Sequence, residues 1–165
     1  MNKCLIVMTA ALLSGGCFFS SGTTLKVSHY QAGLKGDVKA FSRLRVGVVS
    51  NISGAGKEFL VRLGGSQVKT LSGKRWLNSP EVMLKSAMLM NFDGGSDAET
   101  VSAQILRFEF DPGLENLEAV IVFTLRTGES IVCMEKVDVK DENYGDAAAA
   151  IFENAVLKVV NKVKK

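Results

Sequence analysis

The chain has 165 residues, which is enough for one domain with a substantial core and too few for two large ones. Its 20 Lys and Arg against 17 Asp and Glu give a net charge of only +3, which argues against a dedicated nucleic-acid-binding protein. One histidine and three cysteines without a CxxC spacing exclude His-rich metal sites, zinc ribbons and a disulfide framework, so the chain offers few residues for enzymatic chemistry.

The N-terminal residues 1–16 have the features of an export signal. Lys3 gives the segment a positive start, and the ten residues 4–13 carry no charge. Such a stretch is too short to cross a bilayer, which takes about 20 apolar residues, but it fits the apolar region of a signal peptide. The alternative, a buried N-terminal helix of the domain, is disfavoured because the run has no polar face at helical spacing.

Small residues at 14–16 are followed directly by Cys17. This pattern resembles the bacterial lipobox, although Ser14 stands where the consensus has leucine, and it implies cleavage after Gly16 and acylation of the Cys17 thiol. Two or three acyl chains would hold the protein on a membrane, since each buried methylene contributes about 0.8 kcal/mol. Phe18, in place of an aspartate, implies the outer rather than the inner membrane.

Cleavage at this point divides the chain into a signal peptide at 1–16, a lipidated tether at 17–24 and one domain at 25–165. Hydrophobic periodicity, glycine turns and a helix start at Pro80, capped by Ser79 or Asn78, predict the elements of that domain. We expect strands at 25–30, 44–49, 58–63, 67–71, 101–111, 118–126 and 130–139, and helices at 80–91 and 145–164. This order predicts an α+β fold in which two helices pack on one face of a mostly antiparallel sheet.

The strand at 101–111 illustrates the predicted faces. Alternation gives an apolar face of Leu106, Phe108 and Phe110 and a charged face of Arg107, Glu109 and Asp111. Glu109 and Asp111 would lie about 7 Å apart, the minimum arrangement for glycosidase chemistry. Arg107 on the same face favours a solvated charged strand, so an envelope hydrolase stays open only as a third class of function.

Two other candidate catalytic motifs are weak. The segment 54–57 resembles the end of a phosphate-binding loop, but Asn51 replaces its first glycine and Glu58 its magnesium-binding hydroxyl. An ordinary turn is therefore expected there. Cys133 and His29 offer a thiol–imidazole pair, but the apolar neighbours of Cys133 favour a buried structural thiol.

Trp76 is the only tryptophan, and it stands directly after Arg75 and four residues before Pro80. One interpretation is a packing contact, in which Trp76 closes over the start of the helix and packs on Leu84. The other is an anchor at a protein interface, where Trp and Arg are enriched. Both interpretations stay open, and the candidate interface comprises Arg62, Arg75 and Trp76.

The chain resembles the ABC-type transport auxiliary lipoprotein family over residues 24–163. The matching points are Tyr30, Arg62, Trp76, the Ser79-Pro80 pair and Phe108. The resemblance implies a periplasmic lipoprotein that accompanies lipid transporters built on mammalian-cell-entry-type substrate-binding proteins. It implies no cofactor.

We therefore expect a non-enzymatic accessory protein of an envelope lipid transport complex, anchored through Cys17 on the periplasmic face of the outer membrane. Its expected partners are a mammalian-cell-entry-type substrate-binding protein and, through the lipid anchor, the membrane; nucleic acid is not among them. The alternative is an accessory lipoprotein of outer-membrane assembly or lipopolysaccharide export, which would carry the same anchor.

Overall fold

A computed structural model describes residues 27–34 and 43–164; the predicted signal peptide and tether, with Gly16 and Cys17, lie outside them. The strands are β1 (Ser28–Tyr30), β2 (Leu44–Asn51), β3 (Glu58–Gly64), β4 (Gln67–Trp76), β5 (Glu99–Asp111), β6 (Asn116–Leu125) and β7 (Ser130–Asp138). The helices are α1 (Pro80–Asn91) and α2 (Tyr144–Val163). The predicted α+β class is confirmed, and the largest difference from the predicted bounds is β4, which continues to Trp76.

Both helices begin where the sequence has start signals. Pro80 occupies the first turn of α1, where its missing N–H costs no hydrogen bond. Ser79 is the N-cap residue, but its hydroxyl donates to the Glu81 carboxylate at 2.5 Å instead of accepting from a backbone N–H. The Asn143 side chain caps α2 by accepting from the N–H of Asp146. Among the described residues, no helix has the length and apolar character that crossing a membrane requires.

The sheet is mixed rather than purely antiparallel. Its strands follow the order β1-β4-β3-β5-β6-β7, and β2 also pairs with β5. The pairs β3–β4, β5–β6 and β6–β7 are antiparallel, whereas β1–β4, β2–β5 and β3–β5 are parallel. Parallel neighbours are joined by long crossovers, so local periodicity does not indicate which strands pair. The two helices contact each other and pack on one face, α1 against β2 and β5, and α2 against β6 and β7.

A β-bulge in β5 changes which residues face the core. The register with β6 shifts between Ile105 and Arg107, which leaves Leu106 as the extra residue. Ile105 and Phe108 are buried, whereas Leu106 is 40% exposed. The prediction that Leu106 shares the apolar face with Phe108 is therefore wrong, because strict alternation does not continue through a bulge.

Aromatic rings fill the core between the hairpin β3–β4, the central strand β5 and the helix α2. Trp76 stacks on Phe59 with ring centroids 5.0 Å apart and lies 5.2 Å from Phe108. Phe108 in turn stacks on Phe152 of α2 at 5.2 Å. Ring pairs of this kind contribute about 0.5–1.5 kcal/mol each beyond their buried area, so the cluster fixes the hairpin against the rest of the fold.

Candidate partner-binding surface

The face of the sheet opposite the helices is the candidate partner-binding surface, which we call the open face. Its side chains alternate along β3, β6 and β7 with the buried side chains of the core. The open face comprises Glu58, Arg62, Val68, Arg75, Arg107, Glu109, Glu118, Val120, Val122, Val132, Met134 and Lys136.

On the open face, the side chain of Arg62 on β3 bonds to carboxylates of β5 and β6. Its Nε donates to Oε1 of Glu109 at 3.0 Å, and its Nη2 bonds the same oxygen and, at 3.1 Å, Oε2 of Glu118. The hydrogen bond to Glu109 raises the pKa of the Arg62 guanidinium above its ordinary value. Because Glu109 is only 7% exposed, Arg62 neutralises a carboxylate that is largely withdrawn from water.

Arg107 and Lys136 complete this charge cluster. Arg107 Nε lies 3.3 Å from Oε1 of Glu109, and Lys136 Nζ lies 3.5 Å from Oε1 of Glu118. With Arg62, three cations thus share two carboxylates, and Asp111 acts on Arg62 as a third, so the charges of the cluster balance. A cavity of about 230 Å³ adjoins it, lined among others by Ser53, Gly65, Ser66, Val68 and Leu106. The side chains of Arg107 and Lys136 are about half exposed, so both can also bind carboxylates of a partner protein.

Arg75 lies on the open face near the end of β4, directly opposite Glu58 of β3. Glu58 and Arg62 are four residues apart along β3, so about 13 Å separates the two arginine positions along the strand. Arg75 is exposed. The structure thus places both predicted interface arginines on one surface and leaves Arg75 available to a partner.

Trp76 lies on the opposite side of β4 from Arg75. Only 2% of its surface is exposed, and its ring contacts those of Phe59, Phe108 and Tyr30. The interface interpretation of Trp76 is therefore wrong, since a buried ring has no surface to offer a partner. Its burial agrees with the packing interpretation, although the aromatic rings that it contacts belong to β1, β3 and β5.

An apolar strip on β6 and β7 borders the charge cluster, and the sequence analysis missed it. Val120 lies opposite Met134, and Val122 opposite Val132. Val132 is 58% exposed and Met134 is 73% exposed. The signal was present, because Val132, Cys133 and Met134 are apolar in succession, so β7 carries apolar side chains on both faces. Apolar area beside charged groups is a usual composition of protein interfaces.

The other catalytic candidates are not brought together. His29 on β1 and Cys133 on β7 lie on opposite edge strands of the sheet, with β4, β3, β5 and β6 between them. Burial raises the pKa of the Cys133 thiol to about 11, as expected for a structural thiol. The segment 54–57 is part of a turn in which the Asn51 side chain donates to the carbonyl of Ala55 at 2.8 Å.

The two carboxylates considered for hydrolysis have separate structural partners. Glu109 is paired with arginines, whereas Oδ1 of Asp111 accepts from the backbone N–H groups of Gly113 and Leu114 at 2.9 and 3.2 Å. The Asp111 side chain therefore stabilises the turn between β5 and β6. Within 27–34 and 43–164, no group of three or more His, Cys, Asp and Glu residues is placed to hold a metal ion.

Comparisons with known proteins identify the fold. No family model matches the sequence, and no curated protein matches it. One similar solved structure, of an uncharacterized protein, has a TM-score of 0.55 at 14% identity and covers 84% of this chain and 97% of that chain. Another, of protein XCC0632 from Xanthomonas campestris in the family DUF330, has a TM-score of 0.56 at 16% identity and covers 83% and 92%. At these identities the similarity shows the fold alone: this chain shares its fold with a DUF330 protein.

Proposed function

We propose that the protein is a lipoprotein of the bacterial cell envelope that acts, without enzymatic chemistry, as an accessory component of an ABC-type lipid transport complex. Acylated Cys17 holds it on the periplasmic face of the outer membrane. Its partner is a mammalian-cell-entry-type substrate-binding protein, which binds the open face.

The N-terminal pattern carries this proposal. An uncharged run at 4–13, small residues at 14–16 and then Cys17 are the successive parts of a lipoprotein signal. The family resemblance supports the accessory role. Three of its matching residues, Tyr30, Trp76 and Phe108, belong to one aromatic cluster, so these residues preserve the core. Of the remaining matches, Arg62 lies on the open face.

Confinement to a membrane explains how a modest surface is sufficient for this role. Anchoring raises the effective concentration of the open face near a partner held in the same envelope. The half-exposed Arg107 and Lys136, together with exposed Arg75, orient an acidic partner surface. The apolar strip on β6 and β7 supplies area to be buried in the complex.

We expect Cys17→Ala to abolish lipid attachment, because the thiol is the atom that takes up the acyl group. The measurement is incorporation of radiolabelled palmitate, together with fractionation of membranes. Cys133→Ala is the matched control, since it removes a buried thiol that plays no part in anchoring. Label that persists in Cys17→Ala, or is absent from the parent protein, contradicts the proposed anchor.

We expect Arg75→Glu to reduce co-purification of the partner about five-fold or more, because a hot-spot charge at an interface is reversed. Lys69→Glu is the matched control: it makes the same charge change on the same strand, but Lys69 lies opposite buried Val61 and so on the other face. Equal loss in both variants excludes the open face as the binding surface. A lipopolysaccharide-export or outer-membrane assembly protein in the eluate favours the alternative function.

A further inference from the structure

The solvent-facing side of α1 is apolar. Val82, Leu89 and Met90 are 46%, 58% and 45% exposed, and Leu77, just before the helix, is 46% exposed. Helical spacing places the three helix residues on one stripe, together with Lys85. These four apolar residues and Lys85 are named the α1 ridge.

The neighbouring helix α2 lacks such a ridge. It contacts α1 in the same layer, but its exposed positions are polar. They include Asn154, Lys158, Asn161 and Lys162. A helix on the surface of a globular domain normally presents polar side chains to water, as α2 does. The apolar outer side of α1 is therefore suited to contact with a second apolar environment.

The strand β1 ends beside the α1 ridge. The carbonyl of Tyr30, at the end of β1, accepts a hydrogen bond from the N–H of Leu77 at 2.7 Å. The following residues 31–34 line a cavity together with Met90 of α1. The segment 17–27 spans at most about 35 Å when fully extended. An anchor at its start thus keeps the ridge within reach of the membrane.

We infer that the α1 ridge lies on the lipid surface to which Cys17 attaches the protein, an inference that rests on the proposed anchor. The apolar side chains enter the interfacial region of the bilayer, and Lys85 stays at the level of the lipid phosphates. A second copy of the chain fits the ridge less well. Symmetric pairing of two ridges brings the two Lys85 ammonium groups together, and like charges repel.

This orientation separates the two surfaces of the molecule. The helices cover one face of the sheet, and the open face is the other. When α1 lies on the bilayer, the open face points away from it, into the space where a periplasmic partner is found. Membrane contact and partner binding then use opposite sides of one small domain.

Depth-dependent fluorescence quenching tests the inference on the full lipoprotein. The protein is reconstituted into phosphatidylethanolamine and phosphatidylglycerol vesicles that contain a lipid spin-labelled near the top of its acyl chain. An environment-sensitive fluorophore is attached at Leu89→Cys and, as the matched control, at Thr124→Cys, which lies on the side of β6 that faces away from the helices. Both positions are exposed, so neither substitution disturbs the core. We expect about half of the signal to be lost at position 89, since interfacial helices enter the upper acyl region, and little at position 124.

Vesicle flotation distinguishes a protein that lacks the lipid anchor from an anchored protein whose α1 ridge does not contact the bilayer. Protein that does not float with the vesicles contradicts the anchor at Cys17 and the inference together. Protein that floats, but is quenched equally at Leu89→Cys and Thr124→Cys, overturns the inference alone. Shielding at position 89 that depends on added partner protein, or on protein concentration rather than on lipid, also overturns it, because the occupant is then another protein or a second copy.

Discussion

Replacing Trp76 by alanine is expected to lower the free energy of unfolding by about 3–5 kcal/mol, because the change leaves a large cavity in the aromatic cluster. The ring is 2% exposed and contacts Phe59 on β3 and Phe108 on β5, so its loss separates the hairpin from the central strand. Domains of this kind have a total stability of about 5–15 kcal/mol, so the variant is expected to lose a large fraction of it. Urea denaturation followed by far-ultraviolet circular dichroism measures the change, since the variant has no tryptophan fluorescence.

Trp76→Phe is the control for this prediction. A smaller aromatic ring keeps part of the stacking on Phe59, so we expect a clearly smaller loss of stability than for alanine. Partner binding by a folded Trp76→Phe protein is expected to match the parent, because the ring does not reach the open face. An alanine variant that is as stable as the parent, but does not bind the partner, would contradict this account of the residue.

Local sequence signals predicted the elements well. Pro80 predicts the start of α1 because it lacks only an N–H that the first helical turn leaves unpaired. Alternation predicts the buried face of β6, where Ala119, Ile121 and Phe123 are all buried. Both signals depend only on residues close together in the chain, so they hold whichever strands pair in the folded protein.

Features that depend on distant strands were not predictable in the same way. The parallel pairing of β2 with β5 joins residues that are more than fifty positions apart, such as Arg45 and Thr100. The bulge at Leu106 is defined by the register between β5 and β6, and its only local sign is the change of phase at the adjacent apolar residues Ile105 and Leu106. The burial of Trp76 likewise depends on rings from β3 and β5, which the residues next to it do not indicate.

The candidate site was predictable only in part, because some of its contacts also depend on strands that are distant in the sequence. Arg62 stands out as a cation on a predicted strand and Arg75 as a cation next to the only tryptophan, and the structure places both on the open face. Glu109 is a candidate catalytic carboxylate in the sequence. Its ion pair with Arg62 depends on the pairing of β3 with β5, at Val61 and Phe110. The apolar strip was missed because a strand that is apolar on both faces resembles a fully buried one.

Replacing Arg62 by methionine is expected to lower the free energy of unfolding by about 1–3 kcal/mol, the usual cost of leaving a largely buried charged group without its hydrogen bond. The methionine keeps the alkyl part of the side chain but leaves Glu109 with Arg107 as its nearest remaining cation, at 3.3 Å. The Arg62 side chain is itself 21% exposed, so solvent screening keeps the loss below that for a fully buried pair. Urea denaturation of parent and variant at one pH measures the difference.

The double variant Arg62→Met with Glu109→Leu tests whether Arg62 and Glu109 behave as a buried ion pair or as a surface ion pair. Removing both partners leaves no unpaired buried charge, so we expect the double variant to be more stable than Arg62→Met alone. Arg75→Met is the control, because Arg75 is exposed, and its loss is expected to change stability by less than about 0.5 kcal/mol. If Arg62→Met and Arg75→Met are equally stable, the cluster is an ordinary surface ion pair, and Arg62 is then as free to bind a partner as Arg75. If the predicted order is found, Arg62 holds β3 to β5 and β6, and partner contacts at the open face depend mainly on Arg75 and the apolar strip.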